Sequence, residues 1–244
     1  GTDHLVPLSG GAAVPELSAA TRSLESSEFL LVLGNDFEHK NRDFAVRVFA
    51  HMRDRGYRGQ LVLAGFHLDD GSSYDHELTG AGTHAGQVVR MGAVSPADKT
   101  WLLQHAGAVL YPTSSEGFGL VPFEAAALGV PTAFVAFGPL LETLPGVPAS
   151  SGWHVDAFAG HVFTLLADPA THVARVRAAG AALTWAGHVD QVLDGYQALL
   201  GPGARWRSAA VDLPGPWTRA GRQLDAVRYR AVNKLRRMTG LSLS

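Results

Sequence analysis

The chain has 244 residues, of which 46% are hydrophobic and 17% charged, and its mean hydropathy is +0.07. These values exclude a disordered chain and a bundle of membrane-spanning helices, and the length suits one large domain or two small ones. The absence of cysteine excludes a disulfide scaffold, thiol catalysis and cysteine-ligated zinc. We therefore expect a globular protein of a reducing compartment, the cytoplasm.

The net charge of −2 hides an uneven distribution along the chain. Residues 203–244 carry nine Lys or Arg side chains against two Asp, a net charge of +7, whereas residues 1–202 carry a net charge of −9. Such a division indicates an interaction surface at the basic end or, equally, a solvated terminal helix. We expect no nucleic-acid partner.

Short apolar runs alternate with amphipathic stretches along most of the chain. Continuous apolar runs are typical of parallel strands covered on both faces, and they occupy residues 29–33, 61–64, 88–91, 108–111 and 132–136. The stretches between them predict helices: one capped by Asn41 and ending at Gly56, one starting at Ser95, and one from about residue 121 to Gly129. Residues 157–200 read as helical in three pieces. The pattern predicts a doubly wound α/β domain with a parallel, Rossmann-like sheet over residues 1–202.

Residues 203–244 form the second predicted region, a basic linker and helical tail. Between Trp217 and Met238, apolar residues recur at steps of three and four, with most arginines on the other faces. This pattern predicts an amphipathic basic helix. Three roles compete for it: packing against another domain, which we slightly favour, binding an anionic membrane surface, and plain solvation.

Three loops follow predicted strands and run toward helix starts, at residues 34–41, 92–95 and 113–120. In an open parallel sheet, ligands bind at this carboxyl edge. In the third loop, Gly117 and Gly119 let the backbone approach a ligand such as a phosphate closely. Glu116 and Glu124 would repel a phosphate but suit sugar hydroxyls, and Lys40 supplies a cation. Both needs are met by a polyol carrying a diphosphate. Taken singly, each glutamate also suits an ordinary exposed position.

The segment from Glu116 to Pro131 closely resembles the E-x(7)-E signature of retaining GT-B glycosyltransferases of the group 1 family. The resemblance extends over about residues 1–200, because the glycine–lysine spacing of Gly34 and Lys40 and the turn at 92–95 also match. It implies that this chain is the C-terminal, donor-binding half of the GT-B architecture.

The resemblance implies roles for individual residues. Lys40 would contact the donor's diphosphate, Glu116 the hydroxyls of the donor sugar, and Glu124 the hydroxyls of the ribose. Lys40 and Glu116 are the two expected to act in catalysis. The turn whose backbone amides approach sugar and phosphate would consist of Gly117, Phe118, Gly119 and Leu120.

Two further positions complete the expected donor site. Val94 lies where the family holds the nucleobase. Asn35 occupies the place at which many members carry an arginine, a second cation for the diphosphate, so its presence lowers the expected affinity for phosphate.

The activity implied is a retaining, metal-independent transfer of a sugar from a nucleoside diphosphate sugar, with no cofactor. UDP or GDP is the expected nucleotide. The acceptor would bind an N-terminal domain of the same enzyme, and the opening without methionine suggests a fragment. Alternatives are a non-catalytic nucleotide-sugar binding module and, less favoured, an epimerase or phosphorylase on the same fold. The N-terminus has no targeting signal, so the expected location is the cytoplasm or the inner face of the membrane.

Overall fold

The computed structural model describes residues 16–200, except the side chain of Leu200. The predicted basic linker and tail, residues 203–244, lie outside the described residues. Contacts along the chain group it into two units, Gly1–Val189 and Asp190–Ser244, and each unit is described by itself. The predicted domain boundary between residues 202 and 203 stays a prediction.

The first unit contains a five-stranded parallel sheet with the strand order β3-β2-β1-β4-β5. The strands are β1 Phe29–Leu33, β2 Gln60–Ala64, β3 Val88–Gly92, β4 Ala108–Tyr111 and β5 Thr132–Phe134. All five predicted strands are confirmed within two residues at each end. The last strand ends earlier than predicted because Val135 makes only an isolated bridge to Ser150.

Helices lie between and after the strands. They are α1 Ala19–Arg22, α2 Arg42–Asp54, α3 Pro96–His105, α4 Val121–Ala127, α5 Gly138–Thr143, α6 Val155–Ala167, α7 Pro169–Ala181 and α8 Trp185–Leu200. The three-piece division of the final helical stretch is confirmed. The sequence reading missed α1, α5 and the 3₁₀ segments Glu38–Lys40 and Thr79–Gln87, because such short or irregular turns leave no clear apolar period.

The two faces of the sheet belong to different apolar clusters. Leu30 and Val32 of β1 pack toward α2 and α6, whereas Phe29 and Leu31 belong to the cluster that includes Leu102 of α3. Successive side chains of a strand point to opposite faces, so a strand covered on both sides must be apolar throughout. This explains the continuous apolar runs and confirms the predicted doubly wound Rossmann-like fold.

The strand order creates a switch point between β1 and β4. From β1 the chain proceeds outward through β2 and β3, and β4 then returns to the other side of β1 and continues to β5. The helices that follow β1 and β4 therefore lie on opposite faces of the sheet, and such a switch point is where open α/β sheets bind ligands. The loops that carry Lys40 and Glu116 leave β1 and β4 at this point.

Helix α8 crosses the boundary between the two units. In the second unit only residues 190–200 are described, all of them helical, and the side chains from Asp190 to Leu199 are exposed. Among the helices within residues 16–200, none is both long enough and apolar enough to span a membrane.

Candidate active site

Hydrogen bonds join the loop after β1 to the loop after β4. The Ser114 amide and the Thr113 hydroxyl both donate to the His39 carbonyl, at 2.8 and 3.1 Å. The Asn41 side-chain amide donates to the Pro112 carbonyl at 2.8 Å. Asn41 stands at the N-cap position of α2, as predicted, with φ 50°. Its side chain makes no cap hydrogen bond, because its amide is used by the Pro112 carbonyl directly after β4.

This arrangement places Lys40 directly against Glu116. The Lys40 Nζ and Glu116 Oε1 atoms are 2.5 Å apart, with 20% and 15% of the two side chains exposed. The predicted diphosphate cation and the predicted donor-sugar carboxylate are thus neighbours across the switch point, although 76 residues separate them in the chain. The pair faces the edge where α/β domains bind ligands.

Glu116 is held in its charged form by two neighbouring side chains. Burial opposes ionisation, but hydrogen bonds from Lys40 and Tyr111 and the positive charge of Lys40 outweigh it, so the pKa of Glu116 lies below its usual range. Burial and the contact with Glu116 in turn raise the pKa of Tyr111, which therefore stays a donor. The apolar pattern identifies Tyr111 only as a strand residue. Its position as the last residue of β4, at the carboxyl edge, is the feature of the sequence that could have placed it in the site.

The turn after Glu116 follows the predicted course. Gly119 has φ +86°, and a Cβ atom there would overlap the Leu140 side chain, so the position requires glycine. Its neighbours Phe118 and Leu120 are exposed, and the expected contact between the backbone of this turn and a ligand stays a prediction. Gly117 has open space around it. Helix α4 starts at Val121, directly after the turn.

Glu124, on α4, forms an ion pair with Lys99 of α3. The Lys99 Nζ and Glu124 Oε1 atoms are 2.9 Å apart. Lys99 was not among the predicted site residues. Each glutamate of the motif is therefore paired with a lysine, which answers the objection that two carboxylates would repel a phosphate.

Asn35 occupies the position at which many family members were expected to carry an arginine. Its Oδ1 atom is buried and accepts no hydrogen bond from the described residues. The guanidinium of Arg42 donates to the Gly34 carbonyl at 3.4 Å but is committed to Glu77, with an Nε–Oε2 distance of 2.9 Å. Since Arg42 and Glu77 are 3% and 0% exposed, Arg42 does not replace the missing cation.

Val94 lies on the turn after β3, as predicted, next to Ser95, which caps α3. Its side chain is half-buried and packs against the apolar cluster that includes Leu102 and Ala125. The expected contact with a nucleobase stays a prediction. Within residues 16–200, no three His, Asp or Glu side chains are grouped closely enough to hold a metal ion.

The described residues thus present cations and hydrogen-bond acceptors side by side at one edge of the sheet. Lys40 is a donor for an anion, and the carboxylate oxygens of Glu116 and Glu124 are acceptors for hydroxyl groups. A ligand that is anionic in one part and rich in hydroxyls in another matches this arrangement.

Fold and site together define a Rossmann-like domain of the GT-B type. The chain belongs to the family described as "Glycosyl transferases group 1", whose sequence model matches residues 14–179. The match includes β1, the Lys40 loop, and the whole E-x(7)-E segment.

Individual relatives agree with this assignment. The chain is 30% identical over 191 residues to a D-inositol 3-phosphate glycosyltransferase of Nocardiopsis dassonvillei, covering 73% of this chain and 44% of that protein. The structure of AviGT4, a glycosyltransferase involved in avilamycin A biosynthesis, is 27% identical, with a TM-score of 0.52, covering 78% of this chain and 56% of that one. Sucrose-phosphate synthase from Thermosynechococcus elongatus shares the fold, with a TM-score of 0.58 at 22% identity, covering 74% of this chain and 48% of that one. The chain spans less than half of the curated relatives it matches.

Proposed function

We propose that this chain is the donor-binding domain of a retaining glycosyltransferase that transfers a sugar from a nucleoside diphosphate sugar, UDP- or GDP-linked, without a metal ion. The observation that carries the proposal is the contact between Lys40 and Glu116 at the switch point of a group 1 family domain. Lys40 can bind an anion, Glu116 can accept hydrogen bonds from hydroxyl groups, and both lie at the carboxyl edge of the sheet.

In the proposed reaction, the domain stabilises charge that grows on the diphosphate as the bond to the sugar breaks. Lys40 and the amides of the turn formed by residues 117–120 supply positive charge that is already in place before the reaction. Glu116 accepts hydrogen bonds from the sugar hydroxyls, and Glu124 accepts them from the ribose. No side chain of the described residues is assigned as a nucleophile.

We further propose that the acceptor binds a second, N-terminal domain of the full-length enzyme. The support is that the chain spans less than half of its curated relatives. This polypeptide alone would then bind nucleotide but transfer sugar poorly. Steady turnover by the 244-residue chain, followed as release of nucleoside diphosphate, would overturn this part of the proposal.

The role assignment is tested by two alanine variants. A thermal-shift screen with UDP, GDP, ADP and their sugars first identifies the nucleotide. In calorimetry, Glu124→Ala should weaken binding of the bare nucleotide and of the nucleotide sugar alike, whereas Glu116→Ala should mainly weaken binding of the sugar-bearing form. Losing a hydrogen bond to a charged group corresponds to about tenfold or more in affinity. Equal losses for both ligands in Glu116→Ala would contradict its assigned role.

For the basic segment 217–244 we propose contact with the acceptor domain, on the basis of its charge and apolar stripe alone. An anionic membrane surface is the competing partner. Co-sedimentation with anionic liposomes, with and without these residues, separates the two. Binding that requires the segment and falls with added salt would favour the membrane.

A further inference from the structure

The distribution of lysine in this chain is uneven. The chain contains three lysines, Lys40, Lys99 and Lys234, and all its other permanently charged basic side chains are arginines. The two lysines that the structure describes each pair with one glutamate of the E-x(7)-E motif. Lys40 has a proposed role in binding the diphosphate, whereas nothing in the motif assigns one to Lys99.

Lys99 extends from a firmly anchored part of α3. The neighbouring residue Asp98 is 4% exposed and accepts hydrogen bonds from the Ser18 amide at 2.9 Å and the Ser95 hydroxyl at 2.7 Å. The Ser95 hydroxyl accepts from the Asp98 amide and caps the helix. The backbone that carries Lys99 is therefore held in place by these hydrogen bonds, which fixes where the Lys99 side chain starts in its ion pair with Glu124.

The ion pair itself is open to solvent. The side chains of Lys99 and Glu124 are each 39% exposed, about twice the exposure of Lys40 and Glu116. Ion pairs this exposed contribute little to folding stability. They can, however, hold a carboxylate in one orientation and cancel its charge toward an approaching anion.

We infer that Lys99 is a positioning residue for the ribose-recognising glutamate and thereby sets how strongly the site selects a ribose-bearing nucleotide. The inference rests on the proposed function, in which Glu124 binds ribose hydroxyls. The Lys99 ammonium orients the Glu124 carboxylate from the α3 side and offsets its repulsion of the diphosphate. The remaining lone pairs of the carboxylate stay available to the hydroxyl groups.

The experiment compares two ligands. The nucleoside diphosphate that the wild-type chain binds best, chosen among UDP, GDP and ADP, is titrated in parallel with its 2′,3′-dideoxy analogue. The ratio of their affinities reports recognition of the ribose hydroxyls, because both ligands carry the same base and diphosphate. Calorimetry measures this ratio for the wild type, Lys99→Met, Lys99→Arg, Glu124→Gln, the double variant Lys99→Met/Glu124→Gln, and Lys40→Met.

The matched control for charge is Arg58→Met. Arg58 is exposed and lies just before β2, at the amino edge of the sheet. Its replacement removes one positive charge, as Lys99→Met does, but at the opposite edge from the site. We expect the ribose ratio of this variant to equal that of the wild type.

We expect Lys99→Met to lower the ribose ratio about threefold to tenfold, less than the tenfold or more expected for losing a hydrogen bond to a charged group, because Glu124 keeps its carboxylate and loses only the group that orients it. Lys99→Arg should keep part of the wild-type ribose ratio, because arginine also places a positive charge beside Glu124. In the Glu124→Gln background, Lys99→Met should change the ratio no further, because Lys99 acts through Glu124. Lys40→Met should weaken the binding of both ligands equally and leave the ribose ratio unchanged, because both carry the same diphosphate.

The outcomes separate this inference from the proposed function. If no nucleoside diphosphate binds the wild type, or if Glu124→Gln leaves the ribose ratio unchanged, the proposed site assignment is wrong. If Glu124→Gln lowers the ratio and Lys99→Met does not, only the inference about Lys99 is overturned. A loss in Lys99→Met that is equal for both ligands, with the ribose ratio unchanged, would mean that Lys99 affects only the diphosphate, which also overturns the positioning role.

Discussion

Two ion pairs lie near the loop after β1 and differ in their access to solvent. Arg42 and Glu77 are almost completely buried, whereas Lys40 and Glu116 keep 20% and 15% of their side chains exposed. Removing one partner of a buried pair leaves an uncompensated charge in a medium of low dielectric constant. The buried pair can therefore only support the loop, while the partly exposed pair is accessible to a ligand. The two pairs thus differ in exposure more than in the distance between their charges.

The largest effect that follows from this comparison concerns stability. We expect Glu77→Ala to lower the free energy of unfolding by about 3–5 kcal/mol, because it removes the carboxylate that pairs directly with the buried Arg42 guanidinium. Urea denaturation followed by circular dichroism measures this value. The control is Glu16→Ala, which breaks the exposed Arg22–Glu16 pair and should cost about 1 kcal/mol or less. Similar small losses in both variants would remove the distinction between the pairs.

A second buried ionisable group extends the comparison to pH. His172 is 3% exposed, and burial lowers its pKa to about 4, helped by the nearby His161 and Arg175. As pH falls from about 6.5 to 4, the unfolded chain binds a proton that the folded chain does not, so stability decreases by up to about 3 kcal/mol.

The variant His172→Leu tests this contribution. We expect its free energy of unfolding, measured by urea denaturation at a series of pH values, to fall less steeply than that of the wild type between pH 6.5 and 4. The exposed His76, changed to Gln, serves as the control and should retain the wild-type slope. Identical slopes in all three proteins would show that His172 titrates normally.

The smallest expected effect lies within the site. Tyr111→Phe removes one hydrogen bond to Glu116 and should weaken nucleotide-sugar binding about fivefold, corresponding to about 1 kcal/mol. The bare nucleotide should bind as in the wild type, because Tyr111 acts through the carboxylate that faces the sugar. Calorimetry with both ligands checks this prediction. The control is Tyr57→Phe, which removes a tyrosine hydroxyl shortly before β2, away from the site. A loss that is equal for both ligands would indicate a general disturbance of β4.

The strands and the main helices were predictable because their signals are local. A strand covered on both faces must be apolar at every position, and residues 29–33 satisfy this without reference to the rest of the chain. The start of α3 at its N-cap residue Ser95 and the end of α4 before Gly129, which has φ +86°, are likewise predicted from one or two residues. Asn41 shows the limit of such rules, because its side-chain amide donates to the Pro112 carbonyl, directly after β4, and makes no cap hydrogen bond to its own helix.

The site was only partly predictable, because only some of its features are local in the sequence. The E-x(7)-E segment and the spacing of Gly34 and Lys40 mark the loops that bear it. The side chains that contact the two glutamates besides Lys40, namely Tyr111 and Lys99, gave no comparable signal. Lys99 precedes Glu124 by 25 residues, and their contact depends on α3 and α4 lying side by side.

The amino-acid sequence is sufficient to predict the doubly wound fold, and it indicates the edge of the sheet and the two glutamates and one lysine that we propose for the site. Those features follow from apolar periodicity, turn residues and a contiguous motif, all of which are short-range properties. Tertiary structure alone decided how the charges are paired: Lys40 with Glu116, Lys99 with Glu124, and Arg42 with the buried Glu77. Pairing depends on which side chains the packing brings within a few ångströms and on how much water it leaves around them.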